Sequence, residues 1–380
     1  MIRKLCSNLL TATICIAIFN QAIATEPQGY GDSLRYSVSF EIPELLGANR
    51  FAMSPDGRHV YCAAWRASSI VVFENLGNAT LAHMENYQGP ELSGVIKLSM
   101  SRDGSQLACI CLRSNRICMF DRDASTGGLS NLKTSEAALA WPVAIDFSPD
   151  SRYLYVADAG GSSSSNAQSE VVVYEIRGAD DLKEVARYGP ENAQGMRNVM
   201  VSPDGKHCYA CCSASGQVIA FERDSATGEL QLVQEINVEN SEAGLLDGVH
   251  SAKLSSDGKR LYCISGRFRG TSGVTVFDRL DDGKLEYARE ISIESSEFSG
   301  GNDIVVSNDE STIIASGTTG DSIVLLKQDR ANGKLTVGST ISAYGKINLR
   351  GASGLLYGPG EKALFVAAET GSAVTTFFVE

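Results

Sequence analysis

The apolar residues between 199 and 236 fall into short runs separated by polar turns. An apolar run ends at Val201. SPDG at 202–205 follows as a turn, in which Pro203 fixes φ, Asp204 bonds nearby backbone and Gly205 accepts positive φ. HCYAC at 207–211 has the β-branched and aromatic character of a buried strand. SASG at 213–216 is a second turn and QVIAF at 217–221 a further strand. After a polar turn with Thr227 and Gly228, LQLVQEI alternates apolar and polar as an outer strand does.

The same frame occurs seven times. Its turns begin at Ser54, Ser101, Ser148, Ser202, Ser255, Ser307 and Gly358, at intervals of 47, 47, 54, 53, 52 and 51 residues. A second mark holds the register. The count is twelve from Tyr61 to Phe73, Ala108 to Phe120, Tyr209 to Phe221, Ile314 to Leu326 and Phe365 to Phe377. The third and fifth repeats carry seven and three extra residues in this interval, the former in the Ser-rich loop 159–169. Four antiparallel strands in about fifty residues make a propeller blade. The predicted fold is all-β: a seven-bladed β-propeller in which blades that cannot bury both faces alone pack around an axis into one core. The seventh repeat reaches Glu380 after its third strand. Leu34, Tyr36, Val38, Phe40 and Ile42 alternate cleanly, so 33–42 is expected to pair with 373–379 and close the ring, removing an open sheet edge.

Residues 1–24 read as a secretory signal, with Arg3 and Lys4 ahead of an apolar stretch too short to span a bilayer and Ala22-Ile23-Ala24 as the cleavage pattern. The expected product, 25–380, is one propeller domain, secreted or periplasmic, with no membrane association once the signal is cleaved. Removing two basic residues of 33 leaves 31 against 45 acidic ones, a balance of −14. That charge argues against nucleic acid, whose phosphates need basic surface. No cofactor motif and no metal-ligand spacing is present. Eight cysteines remain after the signal; Cys62, Cys109 and Cys263 share one strand position with Val156 and Val366 and read as small apolar side chains. A two-residue turn at Ser114-Asn115 would set Cys111 opposite Cys118 and permit a bridge.

The first strand of each blade lies nearest the axis, and its start shares one face with the loops between second and third strands. Five residues before each turn stand Asn49, Ile96, Val143, Arg197, His250, Asn302 and Ser353; four before stand Arg50, Lys97, Ala144, Asn198, Ser251, Asp303 and Gly354. Asp146 and Lys253, two before their turns, are also expected to face the axis, and Asp158, Arg267, Arg269 and Glu369 lie in loops on that face. Such a polar rim suits a small anionic or sugar-like ligand. His250 is the candidate base and Arg197 its cationic partner for a carboxylate or oxyanion. Arg50, Asn198, Asn302, Asp303, Arg350 and Glu369 are the expected ligand-binding residues.

VSPDGKHCYA, FSPDSRYLYVA, FERDSATGEL and FDRLDDGKLEY resemble the lactonase-type seven-bladed propellers, a group with one type of 6-phosphogluconolactonase and the fungal carboxymuconate lactonising enzymes. The resemblance covers 30–380. The family's site is expected to use a histidine before one blade's first turn, an Arg-His pair in the next and a glutamate after that blade's second strand. GVHSAKLSSD around His250 resembles the histidine element. GMRNVMVSPD keeps Arg197, with Asn198 at the second histidine's place and Ser213 at the glutamate's. Glu369 holds that strand-end position in blade seven. Two functions follow. One is a binding or scaffold propeller with a degenerate catalytic site. The other is a hydrolase of sugar lactones or a muconate-type cycloisomerase, in which His250 activates water and Arg197, with Arg50 or Arg350, holds the acid group.

Overall fold

A computed structural model describes residues 29–30, 33–135, 139–161, 168–177, 182–266 and 271–380. The expected signal at 1–24, residues 162–167 of the Ser-rich loop, and Arg267 and Arg269 lie outside them. Seven antiparallel sheets follow one another in chain order; six have four strands each. The first strands are Ala48–Met53, Val95–Met100, Pro142–Phe147, Met196–Val201, Ser251–Leu254, Gly301–Val306 and Ala352–Tyr357. Each lies against the first strand of the next blade, and the seventh against the first, so they ring a common axis.

Blade seven closes as the alternation predicts. Leu34–Glu41 pairs antiparallel with Ala373–Val379, from Leu34 opposite Val379 to Glu41 opposite Ala373. A two-residue strand, Gly29–Tyr30, folds back on its start and makes this sheet five-stranded. The inner face of the closing strand is apolar for a reason: Phe40 meets the Phe73 ring of blade one at 5.9 Å between centroids.

The apolar side chains do not merge into the single core that the repeat suggested. They form seven clusters, one between each neighbouring pair of blades. A sheet has two faces, and each is buried against a different neighbour. Cys208 and Cys211 show the consequence. Three residues apart on a strand, they point to opposite faces, one into the interface with blade three and the other into that with blade five.

The serine turns are built alike. Ser202 Oγ donates to Asp204 (2.5 Å) and accepts the His207 amide (3.0 Å), while Asp204 also accepts the Lys206 amide. The same serine–aspartate bond recurs at Ser54, Ser101, Ser148, Ser255 and Ser307.

A polar clasp recurs across blade interfaces. The Tyr61 hydroxyl of blade one donates to the Gly127 carbonyl of blade two (2.6 Å) and accepts from Arg122 Nε (2.7 Å). Tyr155 does the same with Gly228 and Arg223, and Tyr209 with Gly283 and Arg279. In two clasps a buried histidine takes part. Arg122 reaches His59 Nδ1 at 3.0 Å and Arg279 reaches His207 Nδ1 at 2.6 Å. A guanidinium only donates, so both Nδ1 atoms are unprotonated acceptors. Burial, then the adjacent arginine, pushes both imidazole pKa values down. Gly127 and Gly283 have positive φ (74° and 82°), and a Cβ on either would overlap the ring of His59 or His207.

Blade two corrects one expectation. Cys111 pairs with Arg116, and Cys118 stands opposite Cys109. The connection is a four-residue turn, 112–115, in place of the expected two. The same length joins these strands in blades one, four, six and seven, from Ala64 to Ser69, Cys212 to Gln217, Gly317 to Ser322 and Ala368 to Ala373. Its last residue takes positive φ in each, 51° at Asn115. All eight described cysteines are free thiols.

Two outcomes are expected from the clasps. Tyr209→Phe should cost about 1–3 kcal/mol in urea unfolding, because the Arg279 Nε–H loses its acceptor. Because the folded-state values of His59 and His207 are depressed, their contribution is present above pH ~6.5 and is lost as pH falls through the lower folded values. Melting temperature should therefore drop on acidification below pH 6.5. The double variant His59→Asn/His207→Asn should flatten that drop; an unchanged slope would remove the histidines from the account.

Candidate ligand site at the axial mouth

Ten residues line a mouth of about 530 Å³, open to solvent, at one end of the axis: Asn49, Arg50, Ile96, Lys97, Val143, Arg197, Asn198, His250, Ser251 and Asn302. All ten come from the four- and five-back positions of the repeat. The reason is geometric. Inner strands start at the same height in every blade, so equivalent positions converge on the axis. Below the mouth a space of about 920 Å³ is lined by inner strands of all seven blades. Arg50, Lys97, Asn198 and Ser251 border both. Asp146 and Lys253 face the lower space, as expected.

The charges are sorted by depth. Three cationic side chains, Arg50, Lys97 and Arg197, line the mouth, and among the described residues no carboxylate does. Asp146 and Asp303 lie lower. Asp303 accepts from Ser251 Oγ (2.9 Å) and the Leu355 amide (3.0 Å), and its carboxylate is 3.8 Å from Arg50 Nε. Burial raises the Asp146 pKa, against bonds from the Val201 amide and Ser99.

Arg50 is buried and held as a fixed fork. It donates to the side-chain oxygen of Asn49 (3.1 Å) and of Asn302 (2.8 Å), and to both of their carbonyls. His250 Nδ1 lies 2.9 Å from the Asn302 carbonyl. A carbonyl only accepts, so Nδ1 carries the proton and Nε2 is the basic nitrogen of the neutral ring. The loop before His250 is anchored by Ala243, Leu246 and Val249, all fully buried between blades four and five. Arg197 Nε donates to Ser213 Oγ (3.3 Å), which donates to the Gly195 carbonyl. Ser213 thus orients the guanidinium without adding a negative charge. Burial lowers the Arg197 pKa, which for a guanidinium still leaves it charged at neutral pH. Asn198 donates to Ser251 Oγ (3.0 Å) and to the Ala252 carbonyl (3.3 Å).

Besides Asp303, which faces the lower space, two expected ligand residues stand outside the mouth. Glu369 is buried behind the mouth, where it accepts from Asn49 (3.5 Å) and the Trp65 indole (3.1 Å) and pairs with Arg66 (3.6 Å). It supports Asn49. Arg350 is exposed and does not line the mouth; its carbonyl accepts the amides of Thr370 and Gly371. Asp158 is buried and caps the amides of Ala140, Trp141 and Gly160. Conversely, Lys97 gains weight. Burial, with repulsion from Arg50, pulls its ammonium down to about 8. Its place in the repeat was legible; its desolvation was not.

The fold and the axial site now bear on kinship. The model of the lactonase seven-bladed β-propeller family matches residues 37–147, 142–336 and 252–380. The chain belongs to that family. An uncharacterised protein of Staphylococcus epidermidis is 30% identical over 192 residues, 50% of this chain and 51% of that protein. A 6-phosphogluconolactonase of Bacillus subtilis is 24% identical over 204 residues, 52% of this chain and 53% of the enzyme. The chain thus spans about half the length of the curated relatives it matches. Among solved structures, the periplasmic gluconolactonase PpgL of Pseudomonas aeruginosa superposes with a TM-score of 0.65 at 18% identity, over 80% of this lactonase-family chain and 86% of that one. At that identity the likeness concerns the fold.

Lys97 offers a direct check on the electrostatics of the mouth. Its folded value of about 8 lies below the ordinary 10.5. Between those values the unfolded chain holds more protons, so this group's penalty is full below pH 8 and fades as pH rises toward 10.5. Lys97→Met should raise the melting temperature by about 2 °C or more at pH 7. The gain should be smaller at pH 10; an equal gain at both would show that packing, not charge, is responsible.

Proposed function

We propose that the axial mouth binds a small sugar-acid anion. The observation that carries this reading is the lining: Arg50, Lys97 and Arg197 converge with His250 and the amides of Asn49, Asn198 and Asn302, and among the described residues no acid stands with them. Cations in a partly desolvated site attract a carboxylate or phosphate strongly. The amides and Ser251 offer the donor and acceptor groups that hydroxyls need. The names of the B. subtilis and P. aeruginosa relatives, a 6-phosphogluconolactonase and a gluconolactonase, point to the same ligand class. Export fits this role. Arg3, Lys4 and the Ala22-Ile23-Ala24 pattern support a periplasmic or secreted protein, bound to no membrane after cleavage.

A second reading, lactone hydrolysis in the same mouth, rests on the His250 tautomer. Nε2 would take a proton from water as its oxygen attacks the lactone carbonyl, and Arg197 and Arg50 would face the oxyanion. Collapse breaks the ring C–O bond, and the imidazolium returns the proton to the leaving oxygen. Ser213 and Asn198, where the family's site is expected to hold a glutamate and a histidine, weigh toward binding as the primary role.

Calorimetric titration with gluconate and 6-phosphogluconate tests the first reading, with glucose as the neutral control. Binding of an acid but not of glucose is expected, weakened about tenfold or more by Arg197→Ala. Affinity should fall as pH rises past 8 and Lys97 loses its charge. Equal affinity for glucose would refute it. Turnover of glucono-δ-lactone above the spontaneous rate, abolished in His250→Ala, would establish the second reading; no turnover leaves a binding protein.

A further inference from the structure

We infer that blade two holds a second site, independent of the axial mouth: a three-thiolate centre for a soft monovalent metal ion, copper(I), formed by Cys109, Cys111 and Cys118. Their Sγ atoms all lie within 4.8 Å of one another, and Cys111 and Cys118 are 3.6 Å apart. Metal–sulfur bonds of about 2.3 Å place the sulfurs of a trigonal site about 4 Å apart. The spacing is therefore near that of a ligated set before any movement. Among the described residues no other group of three or more thiol, imidazole or carboxylate ligands converges in this way.

The geometry follows from the register. Cys109 and Cys111 alternate onto one face of the second strand, Gln106–Cys111. Cys118, on Arg116–Arg122, is paired directly with Cys109. All three enter the interface with blade one, among Ile70, Leu92 and Val95. The surrounding side chains are largely apolar, with the Glu91 carbonyl and the Ser114 hydroxyl at the turn end of the cluster.

The repeat supplies an internal control. At the equivalent positions blade one has Cys62, Ala64 and Val71, and blade seven has Val366, Ala368 and Thr375. One cysteine in this place is a filler of Val or Ala size, as Cys62 is. Three on one face exceed what packing asks for.

Donor number selects the metal. Zinc in a closed protein site takes four ligands, whereas soft thiolates also select copper(I), which is satisfied by three. The Glu91 carbonyl lies 3.5 Å from Cys118 Sγ, and the Ser114 hydroxyl is a polar neighbour of Cys111. The cluster lies one hairpin turn below the surface, beside the exposed Arg113 and Arg116, which gives the ion a short route in. Each thiol that ligates as thiolate releases its proton to solvent, so binding tightens as pH rises.

The test is an anaerobic titration of the fully reduced chain with copper(I) against bicinchoninate. One equivalent should be withdrawn from the chelator, with an ultraviolet thiolate-to-copper charge-transfer band. Cys109→Val/Cys111→Ala/Cys118→Val places in blade two the residues other blades use at these positions, so it should fold with an unchanged far-ultraviolet spectrum and lose the site. If that variant fails to fold, Cys111→Ala alone should lower affinity ~100-fold. Cys211→Ala/Cys263→Val, which removes the thiols between blades four and five, should retain full binding. Copper retained by the blade-two variants, or binding of zinc in preference to copper, overturns the assignment.

Discussion

Each blade presents two apolar faces, and neither can be left in water. A ring satisfies this only if every interface, including the one between blades seven and one, is complete. The strand Leu34–Glu41 meets that requirement. It supplies the outer strand of blade seven and brings Phe40 and Ile42 against the side chains of blade one. Without it one face of the ring would expose Phe365, Val374 and their neighbours, and a sheet edge would stand unpaired. The seven interfaces are separate clusters, so no central apolar mass compensates for a missing one.

Apolar packing of this kind has little direction, since neighbouring sheets can slide. The tyrosine–arginine clasps supply direction. Tyr61, Tyr155 and Tyr209 each reach a glycine carbonyl and an arginine of the following blade, where only one relative position satisfies all the bonds. Burying a guanidinium is costly unless its donors are met. Around Arg122 and Arg279 a hydroxyl, a turn carbonyl and a neutral histidine accept from the guanidinium. Arg223, with no histidine in its clasp, has Nη2 buried without a hydrogen bond and 3.6 Å from the Asp150 carboxylate. The clasps cluster on the face opposite the axial mouth, so the face that holds the ring in register is not the one that carries the candidate ligand site.

The axis concentrates what the rest of the fold avoids. Seven inner strands bring their starting residues to one place, and polar residues there are only partly hydrated. Arg50 is held by Asn49 and Asn302, and Asn302 in turn orients His250. Fixed donors and a fixed tautomer would need little reorganisation to take the proposed anion. Lys97 shows the opposite side of this: its charge is poorly solvated, a cost that the proposed binding of an anion would offset.

The repeat length, the alternation at 34–42 and the place of each rim residue could all be read from residue order. They depend on local rules, a turn every fifty residues and two-residue periodicity, that copy themselves seven times. By itself the sequence thus determined the blade, the number of blades, the closing strand and the ring of positions that includes Arg197 and His250. The tertiary structure decided what depends on distance between chain segments. It moved Glu369 behind Asn49 and Arg350 out of the mouth, because a loop's direction is not set by its spacing. It turned His59 and His207 into partners of arginines in the next blade, more than sixty residues on. It also slipped Cys118 from Cys111 to Cys109, since a four-residue turn fixes a register that composition does not reveal. Periodicity fixes which face a side chain takes; only packing between blades fixes what it meets there.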